Sequence, residues 1–416
     1  MSLLLRLGGD HLDALDVIMN KDKIIPYFQP IVSADTQLVI GYEALARIQV
    51  EDGVQSLGWF FKDQSIPDEY RQEVDEYVCH LAIEKLLEHN IEAKLFINVD
   101  MNAILENNGE HLINNLKAYE SRGLLLSNIV IEFAEQDFKG NISSLKHLLT
   151  YIQSLGIQIA IDDVGKTGSN LDQIALLRPN IVKVDLEFLE GDAFPQLYRD
   201  VLYSLSLLTR KIGATLMFEG IGSFNQLNYA WRNGGHYYQG YYLSRPKPTF
   251  QEMDFCKSSL KKEFHHFIHF ERKKIEAQIT LTEKLSHLIR NSIKKVKALE
   301  SYDEVVMQIA KELSNISFRV YICDHDGYQQ SGNAVKDEDN NWILQEGSRF
   351  KNWSWRPYFL ENIVRMNYEK RGILSDLYTD IEKDEMIRTY SFPIDDHLFL
   401  FVDIPYSYLF EQDGLM

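Results

Sequence analysis

The chain has 416 residues, which is too many for one hydrophobic core and predicts two or three domains. Its formal net charge of −18 at pH 7 argues against a protein that holds DNA or RNA through a general basic surface. This charge still allows a small phosphorylated ligand that is held by local cations.

The three cysteines, Cys79, Cys256 and Cys323, lie far apart and form no CxxC pair. Their spacing excludes a zinc knuckle or a disulfide framework that could be recognised from sequence, and it fits a reducing compartment. The N-terminal apolar run is too short for a signal peptide, and no apolar stretch reaches bilayer length. The sequence therefore predicts a cytoplasmic protein without a membrane span.

Residues 1–20 predict a short lead-in helix, because their apolar residues recur at helical spacing. From residue 24 to residue 246, short apolar runs alternate with longer helical patterns. The predicted strands are 39–43 with its continuation through 44–47, 94–98, 128–132, 157–163, 180–185, 215–219 and 235–239. The predicted helices include 73–88, 111–121, 142–155 and 198–212. Since several strands along the whole region end on polar residues, the pattern predicts a TIM-type (β/α) barrel, whereas an open sheet would concentrate them at one switch point.

The pattern changes near residue 250. Apolar residues from 260 to 299 recur at helical intervals without a glycine or proline, which predicts one or two long helices over about 50 residues. Further strands are predicted at 318–323, 374–380, 387–393 and 397–403. The expected domains are a barrel (1–249), a helical linker that could mediate homodimerisation (250–300) and an α+β domain with a small antiparallel sheet (301–416).

The stretch 157–165 is an apolar run that stops at two adjacent carboxylates, Asp162 and Asp163. A run that is apolar on both faces is typical of a strand in a parallel sheet, and ligands bind at the carboxyl ends of such strands. Two like charges side by side repel each other unless a cation or a shared proton intervenes. The alternative is a loop aspartate followed by a helix cap.

The other strand ends carry similar groups, and together they supply Glu43, Asn98, Glu132, Asp162, Asp163, Lys183, Glu219 and Gln239. So many carboxylates at one barrel mouth could not all stay ionised without cations. Oxygen ligands select Mg²⁺ or Mn²⁺ over zinc, and two such ions are a recurring device for phosphodiester hydrolysis. Lys183 would orient or help deprotonate the attacking water, and Arg47 would hold a phosphate oxygen. Taken singly, Glu43 or Glu219 could instead be an ordinary ion-pair partner, and Lys183 could simply pair with Asp185.

Glu43-Ala44-Leu45 followed by Arg47 resembles the signature of the EAL domain, the family of cyclic di-GMP phosphodiesterases. The resemblance extends from residue 24 to residue 246 in the family's order. It is carried by the stretch 27–32 with Gln29, by Asn98, Glu132 with Glu135, Asp162-Asp163, Lys183 to Asp185, Glu219-Gly220, and Gln239 through Pro246.

The resemblance implies the role of each of these residues. One metal ion would be held by Glu43, Asn98, Glu132 and Asp162, and a two-metal site would be completed by Asp163 and Glu219. The catalytic residues would be Glu43, Lys183, Asp163 and Glu135, of which Lys183 places the attacking water and Glu135 anchors the loop after Asp163. The dinucleotide groove would be lined by Gln29, Leu45, Arg47, Asp185, Gln239 and Pro246. The implied reaction is the metal-dependent opening of cyclic di-GMP to the linear dinucleotide pGpG.

Two positions depart from the family's pattern. Residues 164–170 read Val-Gly-Lys-Thr-Gly-Ser-Asn, where active members read Phe-Gly-Thr-Gly-Tyr-Ser-Ser, and Gly222 stands where the family usually has a glutamate. A displaced glycine changes which residues can adopt left-handed backbone and so bears on the position of Asp163. Three functions therefore stay open: an enzyme, a receptor that binds cyclic di-GMP without hydrolysing it, and a scaffold that binds no nucleotide.

The last domain resembles the PAS-like (Cache-type) sensor fold. The resemblance is carried by the aromatic stretch 355–359 and by the stretches 375–378 and 387–394. It implies a sensor that regulates the barrel, although such aromatic residues are more often core than ligand pocket. The sequence identifies neither the ligand nor a protein partner of this domain.

Overall fold

A computed structural model of the protein describes residues 12–134, 138–165, 171–187, 196–296, 301–380 and 382–410. Contacts within the chain divide it into two units, Met1–Phe264 and His265–Met416. In these described ranges, no helix combines the length and the apolar character needed to cross a membrane.

The first unit is built on a ring of eight strands that confirms the predicted barrel. Its strands are β1 (Ile24–Ser33), β2 (Val39–Val50), β3 (Gly53–Ser56), β4 (Lys94–Asn98), β5 (Ile129–Ala134), β6 (Gln158–Asp162), β7 (Ile181–Asp185), β8 (Thr215–Glu219) and β9 (Tyr237–Tyr238). The ring runs β1-β9-β8-β7-β6-β5-β4-β2 and closes through the pairing of β1 with β2, while β3 pairs with β2 outside the ring. Strand β2 and the strands β4 to β9 pair in parallel around the ring, and this arrangement brings their carboxyl ends to one mouth.

Strand β1 runs antiparallel to both of its neighbours, β2 and β9. The connection between β1 and β2 spans only residues 34–38, and a parallel pair would need a crossover of roughly a dozen residues or more. The antiparallel pairing continues from Ile24↔Ile48 to Val32↔Val39. This pairing covers β2 as far as Ile48, and pairing with β3 carries the strand on to Val50. The predicted run 39–43 and its continuation through 44–47 therefore form a single strand.

The helices of the first unit surround the ring and follow the predicted segments closely. They are α1 (Ala14–Met19), α2 (Gly58–Lys62), α3 (Asp68–Glu88), α4 (Met101–Glu106), α5 (Glu110–Glu120), α6 (Ile142–Ser154), α7 (Leu171–Leu177), α8 (Gln196–Ile212) and α9 (Phe224–Arg232). The strands predicted at 94–98 and 215–219 have the predicted bounds, whereas β9 is shorter than 235–239.

Below the mouth, apolar side chains fill the barrel. The buried cluster takes one residue from each of six strands: Ile31, Phe96, Val130, Ala160, Ile181 and Met217. This layer lies toward the beginning of the parallel strands, and their polar residues follow it toward the carboxyl ends. The barrel is thus a packed core that supports a polar mouth.

The second unit begins within one continuous helix, α10 (Lys257–Val296), of 40 residues. It continues with α11 (Tyr302–Glu312), β10 (Arg319–Asp324), β11 (Asn333–Lys336), β12 (Trp342–Gln345), α12 (Pro357–Glu369), β13 (Ile373–Leu374), β14 (Tyr378–Thr379), β15 (Met386–Pro393), β16 (Leu398–Pro405) and α13 (Tyr406–Phe410). The sheet order is β12-β11-β10-β16-β15-β13, with β14 also paired to β15, and every pairing is antiparallel. These strands confirm the predicted α+β architecture, and its PAS-like (Cache-type) character stays a prediction.

The later turns of α10 belong to the hydrophobic core of the second unit. Leu281, Leu285, Ile289 and Val296 are buried there together with Val320 and Leu400 of the sheet. Their spacing of four and seven residues places them on one face of the helix. This part of the predicted linker is therefore packed structure.

Candidate active site

Strand pairing places the predicted residues side by side around the barrel mouth. Glu43 of β2 lies opposite Gln29 of β1. Asn98, at the end of β4, is aligned with Glu132 of β5, and Asp185 of β7 is aligned with Glu219 of β8. Residues that are up to 190 positions apart in the sequence therefore share one end of the ring, as the parallel order requires.

Lys183 lies at the centre of this acidic group. Its Nζ atom is 2.9 Å from Glu219 Oε2, 3.1 Å from Glu132 Oε1, 3.3 Å from Asp162 Oδ2 and 3.9 Å from Glu43 Oε2. The lysine side chain is fully buried. The alternative of a simple pair with Asp185 is not what the described residues show, since Lys183 contacts four other carboxylates.

The electrostatic state of the cluster follows from burial and from this surplus of carboxylates. Burial acts to lower the pKa of Lys183, but Asp162, Glu132, Glu219 and Glu43 outweigh it and raise the pKa well above its usual value. Burial raises the pKa of Glu132 well above normal, and Lys183 offsets this only in part, since Glu43 and Asp162 raise it further. The lysine stays charged, and Glu132 favours its neutral form in the absence of a further cation.

Asp162 and Glu219 form a tightly coupled pair. Burial acts to raise the pKa of Asp162, but the charge of Lys183 and the hydrogen bonds from Glu219 and the Asp163 amide outweigh it and lower the pKa. Burial, followed by the charge of Asp162, raises the pKa of Glu219 well above its usual value. The pair thus holds one proton on Glu219 without a cation, and one cation could replace that proton.

The backbone turns sharply at Asp163, so that its amide faces the side chain of Asp162. Asp163 has a φ of 57°, and its amide donates a hydrogen bond of 2.7 Å to Asp162 Oδ1. Oxygen atoms of Asp162, Asp163 and Glu219 all lie within 4.8 Å of one another. The structure therefore places both aspartates in the acidic site, as the first interpretation of this stretch predicted.

The residues present fit a hard divalent cation. The donors are carboxylate and amide oxygens, which Mg²⁺, Mn²⁺ and Ca²⁺ accept. Glu132 is completely buried, and its Oε1 atom lies 3.1 Å from Lys183 Nζ. Among the described residues, neither of its carboxylate oxygens accepts a hydrogen bond of good geometry. A buried carboxylate in this state costs free energy that a cation would recover.

Two side-chain amides, those of Gln239 and Asn98, hold the Glu43 carboxylate in place. Gln239 Nε2 donates hydrogen bonds to Glu43 Oε2 at 2.6 Å and to Gln29 Oε1 at 3.2 Å. Asn98 Nδ2 donates to Glu43 Oε1 at 3.0 Å, and Gln29 Nε2 donates to the Ser244 carbonyl at 3.2 Å. Residues that the resemblance assigns to the dinucleotide groove thus contact a predicted metal ligand directly.

The remaining groove residues lie on β2 and on the segment after β9. Leu45 and Pro246 are partly exposed, and the segment of Pro246 lies against β1 through reciprocal backbone hydrogen bonds of Phe28 with Lys247. The guanidinium of Arg47 lies 5.8 Å from the centre of the Tyr27 ring. Burial lowers the pKa of Arg47, although Tyr241, Glu43 and Tyr27 partly offset this, and the group stays a cation at neutral pH.

Sequence reasoning missed Tyr27, Tyr241 and Gln226. The Tyr27 ring lies 5.8 Å from the guanidinium of Arg47, and the Tyr241 ring lies 4.5 Å from the guanidinium of Arg245. Tyr241 is 55% exposed, so its ring is accessible to a planar ligand. Its position two residues after Gln239 was a signal that could have been followed.

Gln226 contacts the backbone of Gly222, one of the two positions that depart from the family's pattern. Its Oε1 atom accepts a hydrogen bond of 2.7 Å from the Gly222 amide, and its Nε2 atom donates one of 2.8 Å to the Leu186 carbonyl. These bonds link the loops after β7 and β8, which carry Asp185 and Glu219. The sequence signal was Ser223-x-x-Gln226, which is typical of a helix N-terminus, and Ser223 does cap α9.

Gly220 follows Glu219 and permits a close approach of two loops. Its φ is 64°, and a Cβ atom added there would collide with Asp185 Oδ1 and lie 2.8 Å from the Glu187 amide nitrogen. Asp185 needs this position because its Oδ1 accepts a hydrogen bond of 2.7 Å from that amide. The pairing of positive φ with close contact makes glycine the required residue.

We expect Gly220→Ala to lower the free energy of unfolding by about 2–4 kcal/mol, the sum of left-handed strain and overpacking. Gly213→Ala is a matched control, since Gly213 has a φ of 76° but open space around the added Cβ. Its expected cost is the strain alone, about 1–2 kcal/mol. Urea denaturation of both variants measures the difference, and equal costs would contradict the proposed collision.

Two predicted features lie outside the described residues. Glu135 is one, and residues 166–170 of the altered loop are the other. Their predicted roles stay predictions.

The fold and the site together define a TIM-type barrel protein with an acidic, lysine-centred site at the carboxyl ends of its strands. Residues 12–246 match the EAL domain family, and residues 250–416 match the family described as the EAL-domain associated signalling protein domain. The chain therefore belongs to the EAL-domain family, as the ordered motifs predicted.

Individual relatives are similar over different lengths. The chain is 47% identical over 407 residues to the uncharacterized EAL-domain containing protein YkuI of Bacillus subtilis (strain 168), with 97% of this chain and 100% of YkuI covered. The crystal structure of YkuI in complex with substrate c-di-GMP and calcium has the same coverage and a TM-score of 0.92. The probable cyclic di-GMP phosphodiesterase PdeB of Escherichia coli (strain K12) is 26% identical over 256 residues, which are 60% of this chain and 47% of PdeB.

Proposed function

We propose that the barrel binds cyclic di-GMP and hydrolyses it to pGpG in a reaction that depends on Mg²⁺ or Mn²⁺. The observation that carries the proposal is the fully buried Lys183 among four carboxylates, of which Glu132 accepts no hydrogen bond of good geometry within the described ranges. Such a cluster stores electrostatic repulsion that structural ion pairing does not need. The YkuI complex with c-di-GMP and the phosphodiesterase PdeB support the same substrate.

In this proposal Asp162, Asp163 and Glu219 hold one cation, and Glu132, Glu43 and Asn98 complete the two-metal set around them. When bound, the cations activate water and neutralise phosphate charge. Lys183 donates a hydrogen bond to the attacking water from the floor of the site and holds it in line with the phosphorus. Gln239 fixes the Glu43 carboxylate, because its amide donates to Oε2.

The substrate is oriented by the groove residues. The guanidinium of Arg47 donates hydrogen bonds to the phosphate through a planar pair of N–H groups. This pair positions the scissile bond more strictly than the single ammonium group of a lysine would. Leu45 and Pro246 contact the apolar faces of the dinucleotide, while Gln29 and Asp185 contact guanine edges. Tyr241 offers an exposed ring for stacking.

The proposal is tested by incubating the purified full chain with cyclic di-GMP and either Mn²⁺ or Mg²⁺, and by chromatography of the products. The expected product is pGpG, and chelation of the metal ions by EDTA should abolish its formation. Absence of pGpG with both metal ions overturns the hydrolase. Calorimetric titration of cyclic di-GMP under the same conditions then separates a receptor, which binds, from a scaffold, which does not.

The receptor is the second candidate, and Gly222 is the observation that favours it. The family's usual glutamate is absent there, and the Gly222 amide donates instead to the neutral side chain of Gln226, which also contacts the Leu186 carbonyl. An amide preserves the loop contact but adds no negative charge to the site. If the protein is such a receptor, the Glu43→Ala variant should retain more of the affinity for cyclic di-GMP than the Arg47→Ala variant does.

Arg47→Ala is expected to weaken the binding of cyclic di-GMP by about 10- to 100-fold, because charge-assisted hydrogen bonds to a phosphate are lost. Calorimetry measures the effect for enzyme and receptor alike. Arg122→Ala is the control, since Arg122 is exposed and pairs with Glu84 outside the site. If both variants bound as tightly as the natural chain, Arg47 would not line the groove.

The second unit is proposed to regulate the barrel as a sensor. One continuous helix, α10, supports this proposal because it contributes residues to both units. Homodimerisation, the cytoplasmic location and the division at residues 249 and 300 stay predictions of the sequence.

A further inference from the structure

The second unit contains a cavity of about 330 Å³. It lies between the last turns of α10, the C-terminus of α12 and the hairpin that joins β15 to β16. Ile293, Phe392 and Pro393 give it an apolar floor. Its volume is at the lower end of the range of small-molecule sites, about 300–1,000 Å³.

One wall of this cavity is basic. Arg290 and Lys294 both border it, and they lie one helical turn apart on α10. Within the described ranges, neither residue has a carboxylate oxygen within 4.0 Å, whereas the adjacent Lys295 pairs with Glu312 at 3.2 Å. The two charges that border the cavity are therefore not neutralised by the protein.

The guanidinium of Arg290 is held in place and still has donors available. Its Nη2 atom donates a hydrogen bond of 2.9 Å to the Lys370 carbonyl, and its centre lies 5.8 Å from that of the Phe392 ring. A guanidinium has five N–H donors. The contact with Lys370 fixes its plane over the apolar floor and leaves donors for a ligand.

The acidic residues at the cavity are already engaged. Asp396 pairs with Lys370 at 2.5 Å. Asp395 Oδ1 accepts hydrogen bonds from the amides of His397 at 2.8 Å and Leu398 at 2.9 Å. These contacts fix the hairpin. The lining has the cations Arg290, Lys294 and Lys370 against the anions Asp395 and Asp396, so its formal net charge is positive.

We propose that this cavity binds a small organic anion with an apolar body. The anionic group would pair with Arg290 and Lys294, and the body would lie on Phe392 and Pro393. The anion is a carboxylate or a phosphate, since both accept hydrogen bonds from a guanidinium and an ammonium. Because α10 also contributes Leu260 and Phe264 to the first unit, a ligand here contacts the helix that both units share.

The proposal is tested by calorimetric titration of the full chain with phenylacetate, inorganic phosphate and the neutral analogue phenylacetamide. Binding of phenylacetate assigns a carboxylate ligand, and binding of phosphate assigns a phosphorylated one. Phenylacetamide is expected to bind at least about tenfold more weakly than phenylacetate, because it lacks the charge. Absence of binding by both anions at millimolar concentration, or equal binding of the amide, overturns the proposal.

Variants locate the anion within the cavity. Lys294→Gln and Arg290→Gln are each expected to weaken anion binding about tenfold or more. Lys294→Gln leaves the hydrogen bond from Arg290 to Lys370 intact, so its effect does not depend on that structural contact. Lys284→Gln is the matched control, an exposed lysine on α10 away from the cavity. Equal affinities of the Lys294 and Lys284 variants would overturn the assignment.

Discussion

Replacing Lys183 with methionine is expected to make the stability of the barrel depend on divalent cations. The ammonium group is fully buried and lies within 4 Å of four carboxylates, so its removal leaves them without a partner. Breaking a buried ion pair in this way costs about 3–5 kcal/mol. Urea denaturation in EDTA should show this loss. Saturating Mn²⁺ should recover about 2–4 kcal/mol, because a bound cation replaces the missing charge.

The same variant tests catalysis. If Lys183 positions the attacking water, hydrolysis of cyclic di-GMP should fall by roughly 10²- to 10⁴-fold, even with Mn²⁺ at saturation. Lys94→Met is the control: Lys94 also lies in a barrel strand and donates a hydrogen bond of 3.4 Å to the Ser127 carbonyl, away from the acidic site. Its expected cost is about 1 kcal/mol without any dependence on cations. A Lys183 variant as stable in EDTA as the Lys94 variant would contradict the electrostatic account.

The acidic site could be predicted from the sequence because its main determinants are local. Asp162, Lys183 and Glu219 each follow a short apolar run, and parallel strands bring such ends together. The apolar runs at 94–98 and 215–219 also gave the strand bounds directly. What these patterns do not encode is which oxygen contacts which cation, since that depends on side-chain geometry across strands.

Non-local pairing explains what the sequence pattern left out. Strand β2 continues past Arg47 because Ile24 on β1 and the residues of β3 pair with it, and this pairing is not visible in the periodicity of β2 itself. The contact made by Gln239 is another example. The side-chain amide of a glutamine can donate a hydrogen bond to a bound ligand or to a carboxylate, and the sequence does not distinguish the two. Its bond to Glu43 required the structure. The same holds for Leu285, whose helical spacing did not reveal that a sheet covers it.

Glu132→Gln is expected to weaken cation binding while leaving the metal-free barrel nearly as stable as before. Burial and the neighbouring carboxylates raise the pKa of Glu132 well above normal, so the neutral form is favoured, and glutamine has the shape of that form. We expect the free energy of unfolding in EDTA to change by less than about 1 kcal/mol. Affinity for Mn²⁺ should fall by about 10-fold or more, since one charged oxygen ligand is lost.

Asp403→Asn is the matched control, because both carboxylates are completely buried and only their partners differ. Asp403 accepts hydrogen bonds of 2.6 Å from Arg319 Nε and from Thr389 Oγ1, whereas neither oxygen of Glu132 accepts a hydrogen bond of good geometry in the described part of the chain. Loss of the charged bond should cost about 1.5–3 kcal/mol in the Asp403 variant with no effect on Mn²⁺ affinity. If Glu132→Gln cost as much in EDTA as Asp403→Asn, Glu132 would be a structural ion-pair partner of Lys183. A small cost together with weakened Mn²⁺ binding identifies it instead as a carboxylate that the fold keeps for a cation.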